Sequence, residues 1–168
     1  MSHLNPILQN YAAILDHIKL NGFANVRVLQ IGLGSKREKL KFVIAGSALG
    51  TASAEKQEEY KQKDVQVTQI EVDTLDSQIL GNNLPEPNFI KIDVEGLELD
   101  VLRGMTQTIS NYRPEIFVEL HGVSEEEVVK LLLSHNYKVH QVEDGIEITQ
   151  QNIEKVRGHL HVTPQFPG

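Results

Sequence analysis

Apolar residues along the chain recur at two spacings, and the change from one to the other marks its elements. Ile7, Tyr11, Ile14, Leu15 and Ile18 recur at three- and four-residue steps, which places them on one face of a helix. Pro6 suits the first turn of that helix, and Asn21-Gly22 supplies a left-handed stop. Two stretches then carry apolar residues at nearly every other position, Val26 to Ile31 and Lys39 to Ile44, and predict an antiparallel strand pair. Residues 46–64 break the rhythm: Gly46, Ser47, Gly50, Thr51 and Ser53 lead into a charged run, which predicts an exposed loop. Val65 to Val72 alternates again as a strand, Thr74 to Leu80 suits a short helix, and Asn82, Asn83, Pro85 and Pro87 form a turn.

The centre of the chain has a different character. Phe89 to Val94 is a short apolar run with β-branched residues, ending in an acid and then Gly96. Leu97, Val101, Leu102, Met105 and Ile109 take up helical spacing, so one helix is predicted over 97–109. Arg113-Pro114 ends it, and Ile116-Phe117-Val118 makes a second buried strand that closes on Glu119 and His121. Ser124 with Glu127 three residues later reads as a capping box for the next helix. A strand over 137–142 follows, then Asp144-Gly145 as a hairpin turn into Ile146 to Ile148. His159 to Val162 reads as an edge strand, with order ending at Pro164 and Pro167. Strand, helix, strand, helix, strand at these lengths predicts an α/β fold of βαβ units, its sheet mostly parallel with an antiparallel hairpin at one edge. The chain has no internal repeat or dividing linker, so residues 1–168 read as one domain.

Composition narrows the function classes. The chain has 168 residues with 16 Lys and Arg against 23 Asp and Glu, a formal charge of −7. Without a basic stripe, duplex nucleic acid is not an expected partner, because phosphate neutralisation supplies most of that affinity. Lys36, Arg37, Lys39 and Lys41 form only a mild basic group that suits a solvated edge. No apolar run approaches the roughly 18 residues that would span a bilayer, so no membrane association is expected. There are no cysteines, which removes disulfides, thiolate metal sites and a cysteine nucleophile and accords with a cytoplasmic setting.

In an open α/β sheet, ligands bind beyond the carboxyl ends of the strands. Two successive predicted strands end there in polar groups, Asp93 and Glu95 after one, Glu119 and His121 after the next. Neighbouring strands bring these four together, where a carboxylate orients a hydroxyl, acts as a base or helps bind a metal. The same acids equally suit capping of the helix that follows Gly96. Two further groups stand apart. Val28 to Ser35 runs from a strand into Gly32-Leu33-Gly34, which reads either as a cofactor-binding glycine loop or as a turn between strands. His159 and His161, two apart on a strand, face the same way, a geometry suited to a metal or to an inconsequential surface pair. Ser47 and Ser53 lack a nucleophile elbow or a base at recognisable spacing.

The segment Lys91-Ile92-Asp93-Val94-Glu95-Gly96-Leu97-Glu98, continuing through Val101-Leu102-Arg103-Gly104, resembles the signature of FkbM-type methyltransferases. Arg113 to Glu119 is similar to that family's next strand, Val72 to Asp76 to the turn before the signature, and Asn5-Pro6 with Leu20-Asn21-Gly22 to the segment after its second strand. The resemblance covers roughly residues 5–135. It implies a Rossmann-like class I methyltransferase fold, S-adenosylmethionine as methyl donor, and O-methylation of a sugar or small-molecule hydroxyl. Asp93 would orient or deprotonate that hydroxyl, Glu95 and Glu119 would support it, and His121 would be a second base. The family's first strand and glycine-rich loop would precede residue 1, and Leu4 stands where the ribose-binding acid is expected. The chain therefore reads as N-terminally truncated, with Gly32 and Gly34 as the internal candidates for cofactor contact and no metal assigned. The other reading is a catalytically inactive α/β domain serving as an assembly module, prone to homo-oligomerisation through an uncovered sheet.

Overall fold

The computed structural model describes residues 2–4, 8–45, 49–60 and 65–166. Asn5, Pro6, Ile7, Gly46, Ser47, residues 61–64 and Pro167, all used in the sequence reading, lie outside the described residues. The chain opens with β1 (Ser2–Leu4), α1 (Leu8–Asn21) and β2 (Arg27–Leu29), and β1 and β2 pair in parallel. Gly22 ends α1 at φ +66°, as Asn21-Gly22 implied. The expected pairing of residues 26–31 with 39–44 does not form. β2 instead joins β1, and the chain then enters a second sheet through β3 (Gly32–Leu33).

That second sheet has the order β3-β6-β4-β5, built with β4 (Glu38–Ala45), β5 (Leu49–Thr51) and β6 (Val65–Asp73). β4 lies antiparallel to both β5 and β6, and only β3 joins β6 in parallel. Alternation explains the register: Leu40 stands opposite Ile70, and these pack with Phe42, Ile44 and Val72 on one face. The exposed loop expected over 46–64 is only partly a loop. It contains β5 and α2 (Ala54–Tyr60), and Thr51 and Ser53 are buried at 1% and 2% exposure. Polar composition misled because both hydroxyls are satisfied by hydrogen bonds inside the fold.

The larger sheet has the order β7-β8-β11-β9-β10, formed by β7 (Phe89–Ile92), β8 (Glu115–Glu119), β9 (Tyr137–Gln141), β10 (Glu147–Ile148) and β11 (His159–Pro164). Only β7 and β8 are paired in parallel. β11 inserts between β8 and β9, antiparallel to each, so β8 and β9 share a direction without touching. The fold is thus α/β with mixed sheets, mostly antiparallel among the described strands, and not the mostly parallel sheet expected. The βαβ crossovers were read correctly; the returning strand that separates two of them was not. β11 is consequently an interior strand, and the edge position inferred for 159–162 is corrected. Its alternation reflects burial of one face, with Leu160 and Val162 inside.

Helices α3 (Leu75–Asn82), α4 (Glu98–Arg103), α5 (Thr106–Tyr112) and α6 (Glu125–Ser134) complete the fold. The single helix expected over 97–109 divides at Gly104-Met105. The amides of Gln107 and Thr108 at the start of α5 donate to the Asp76 carboxylate at 3.0 and 2.8 Å, a cap supplied from outside the helix. Ser124 sits at φ +53° and makes no side-chain cap, so the capping box does not form; the Gly122 amide donates to Glu125 instead. Val101, Leu102, Met105 and Ile109 pack with Ile116, Val118, Val128, Leu132, Val139 and Leu160 in one continuous core. Among the described residues, no helix is long and apolar enough to cross a membrane.

Candidate active site at the ends of two parallel strands

Parallel pairing of β7 with β8, Ile92 opposite Val118, aligns their carboxyl ends and therefore the side chains just beyond them. After β7 the backbone turns through Gly96 at φ +82° into α4. A Cβ at Gly96 would lie 2.9 Å from Lys56 and 3.1 Å from the Ser53 hydroxyl, so both conformation and space require glycine here. The Thr51 hydroxyl donates to the Glu95 carbonyl at 2.5 Å, which ties the end of β5 directly to this turn.

His121 is the hub. Its Nδ1 lies 2.7 Å from Oε1 of Glu98, a carboxylate with no solvent exposure. That oxygen also accepts the Gly96 amide; with Glu98 ionised, Nδ1 donates to it and Nε2 carries the free lone pair. Nε2 faces Glu95 Oε1 at 3.8 Å, Glu119 Oε1 at 3.9 Å and Asp93 Oδ1 at 4.0 Å. All four predicted residues thus converge. Burial pushes the Glu98 carboxyl above its ordinary range, opposed by hydrogen bonds from backbone amides and from His121. On the open side Lys91 Nζ holds Asp93 Oδ2 at 2.8 Å, and that bond raises the lysine's own pKa.

The profile of the methyltransferase FkbM domain matches residues 5–139. The chain belongs to the FkbM methyltransferase family. Over 58 residues it is 43% identical to the hexuronic acid methyltransferase AglP of Haloferax volcanii, a match that takes in 34% of this chain and 24% of AglP. It also superposes on the crystal structure of methyltransferase FkbM from Methylobacillus flagellatus KT with a TM-score of 0.61 at 18% identity, covering 96% of this chain and 36% of that one. The second likeness is one of fold. The chain thus spans about a quarter to about a third of the length of these relatives.

In this FkbM chain, Gly32 and Gly34 lie in and after β3, in the smaller sheet. A Cβ at Gly34 would meet Val72 at 2.8 Å, and one at Gly32 would meet Val72 and Ile70 at 3.1 and 3.3 Å. The Gly34 amide donates to the Asp73 carbonyl, and the chain continues into β4 and not into a helix. The space beside these glycines is filled by the protein itself. A side chain at either position would meet β6, which favours a strand junction at Gly32-Leu33-Gly34 over a cradle for S-adenosylmethionine. His159 and His161 do share a face, each held by its own carboxylate: His159 Nδ1 lies 2.7 Å from Glu143, and His161 bonds Glu115. Ser53 donates to Glu55 at 2.9 Å.

Sequence reasoning missed Glu98 as a member of this cluster. The signal was present, because Glu98, Val101 and Leu102 fall at i, i+3 and i+4, so a carboxylate occupies the inward stripe of α4. An acid on a core stripe is buried only when paired.

Proposed function

We propose that this chain carries the acceptor side of an O-methylation site, with a sugar or small-molecule hydroxyl as the methyl acceptor and S-adenosylmethionine, the donor implied by family membership, as the methyl source. The observation that carries the reading is the placement of His121 Nε2 among three carboxylates at the ends of β7 and β8, with the imidazole fixed by buried Glu98. Likeness to a hexuronic acid methyltransferase favours a glycan acceptor. Gly32 and Gly34 back onto β6, so every step assigned here concerns the acceptor alone.

In this reading Asp93, about half exposed, accepts the hydrogen bond of the incoming hydroxyl and sets its direction. His121 accepts the proton at Nε2 as the oxygen is alkylated, and the Glu98 carboxylate stabilises the imidazolium that results. Glu95 and Glu119 add negative potential that favours the protonated ring. The test is transfer of tritium from methyl-labelled S-adenosylmethionine to a panel of hexuronate and hexose glycosides. Label should enter a hydroxyl, and Asp93→Asn and His121→Gln should each lower the rate by about 10²-fold or more. Equal rates for wild type and a folded Asp93→Asn variant would remove Asp93 from the reaction. A folded wild-type chain that labels no acceptor would count against methyl transfer by this chain and leave the assembly-module reading.

A further inference from the structure

We propose that Asp93, Glu119 and His121 bind a divalent transition-metal cation, with Glu98 as the residue that positions the imidazole. The inference rests on donor geometry and not on the methyl-transfer reading, and a bound ion would take the Nε2 lone pair that in that reading accepts the hydroxyl proton. One ligand atom from each of the three residues lies within 4.8 Å of the other two. His121 Nε2 stands 4.0 Å from Asp93 Oδ1 and 3.9 Å from Glu119 Oε1. These gaps are too long for direct hydrogen bonds. They exceed by a few tenths of an ångström the spacing of ligands held at about 2.1 Å around a tetrahedral ion, roughly 3.4 Å. Asp93 and Glu119 are both partly exposed, so their carboxylates can close the remaining few tenths of an ångström.

A second observation lies outside the ligand set. Glu98 is fully buried, and its Oε2 has no hydrogen-bond partner among the described residues, although burying a carboxylate is costly. What it does is hold Nδ1 of His121 at 2.7 Å, which fixes the tautomer and aims the Nε2 lone pair at Asp93 and Glu119. A carboxylate behind a histidine is the arrangement that orients imidazole ligands in metal sites and raises their basicity. Charge points the same way: Asp93, Glu95, Glu98 and Glu119 gather around one imidazole, with Lys91 as the cation bonded to Asp93 Oδ2. Lys91 leaves Oδ1 of Asp93 facing the histidine. Two carboxylate oxygens with one imidazole nitrogen suit Mn²⁺, Fe²⁺ or Zn²⁺ better than Mg²⁺ or Ca²⁺, which prefer all-oxygen sites.

The experiment titrates the 168-residue chain with Mn²⁺, reading free ion by electron paramagnetic resonance and histidine nitrogen coupling by spin-echo modulation. One ion should bind in the micromolar range with a single imidazole nitrogen coupled. Asp93→Asn and Glu119→Gln should weaken binding at least tenfold, and His121→Gln should abolish the nitrogen coupling. Glu98→Gln leaves the ligands in place and should weaken binding about 10–100-fold. Because Asp93 is about half exposed, its variant should keep the fold, which circular dichroism checks independently. The site is overturned by a folded wild type that binds no Mn²⁺ into the millimolar range. It is equally overturned by binding without nitrogen coupling, or by binding that Asp93→Asn leaves unchanged. None of these readouts requires methyl transfer, so failure of that reading and failure of the site are separable.

Discussion

The two larger sheets are built to different depths. Strands β8 and β11 of the five-stranded sheet bury Ile116, Val118, Leu160 and Val162 completely, under α4, α5 and α6. The four-stranded sheet rests on a small cluster of Phe42, Ile70 and Val72, and Val67 on β6 is 57% exposed. The deep sheet holds the ends of β7 and β8 and therefore Asp93, Glu119 and His121, whose placement depends on locked neighbours. The shallow sheet contributes cover, through Thr51 on the Glu95 carbonyl and Ser53 beside Gly96. The candidate site sits on the more deeply packed sheet, and the thinner sheet contacts the turn beside it.

The sharpest way to break that comparison is to shorten one isoleucine in each sheet. Ile116→Ala should cost about 2–5 kcal/mol, because a fully buried side chain leaves a cavity its neighbours cannot fill. Ile70→Ala, in a small cluster with freedom to relax, should cost roughly 2 kcal/mol or less. Urea unfolding of both variants decides it. Equal losses would mean that the shallow sheet is as tightly packed as the deep one.

A smaller effect probes the seam between the two sheets. Gly104, after α4, lies so close to the end of β3 that a Cβ would stand 1.9 Å from the Gly34 carbonyl oxygen. Asp76 strengthens the same seam: its amide donates to the Gly104 carbonyl and its carboxylate accepts from Thr108. Gly104→Ala should therefore destabilise by about 1–3 kcal/mol, since backbone must move. Gly81→Ala in α3 meets nothing within 4 Å and should stabilise by about 0.5–1 kcal/mol. Opposite signs in thermal melts support the seam, and a neutral Gly104→Ala would dissolve it.

The same contrast explains how much was legible beforehand. β7, β8, α6 and β9 were read within a residue or two, because strongly periodic apolar runs under a deep core leave little choice. The four converging residues followed from strand ends alone. Sheet order was not legible, since β11's alternation says which face is buried and nothing about which strands flank it. Residues 49–60 were misread because Thr51 and Ser53 are polar yet buried through hydrogen bonds, and composition does not reveal partners. The break between α4 and α5 depends on Asp76, some thirty residues earlier, a contact no local window contains.

The smallest effect lies on the outer face of β11, whose inner face carries Leu160 and Val162. His159 Nδ1 bonds Glu143 at 2.7 Å, and its Nε2 stands 3.6 Å from Glu119. The hydrogen bond that His159 donates to Glu143 raises the histidine's pKa and lowers that of the carboxyl. For the histidine, the stabilisation is complete below its ordinary value and is lost as pH rises through the raised one. For the carboxylate, it is present above its ordinary value and lost as pH falls through the lowered one. The pair therefore contributes most between about pH 4.3 and 6.5. Both groups face water, so the gain is small and weakens with salt. The melting temperature of wild type minus that of His159→Gln should peak in that window and fall toward zero at alkaline pH. Glu143→Gln should lower the histidine's titration midpoint in proton nuclear magnetic resonance. A melting difference that does not vary with pH would mean that His159 acts by packing against Phe117, whose ring centre lies 5.7 Å away, and the outer face of β11 would then stabilise the sheet through contact and not through charge.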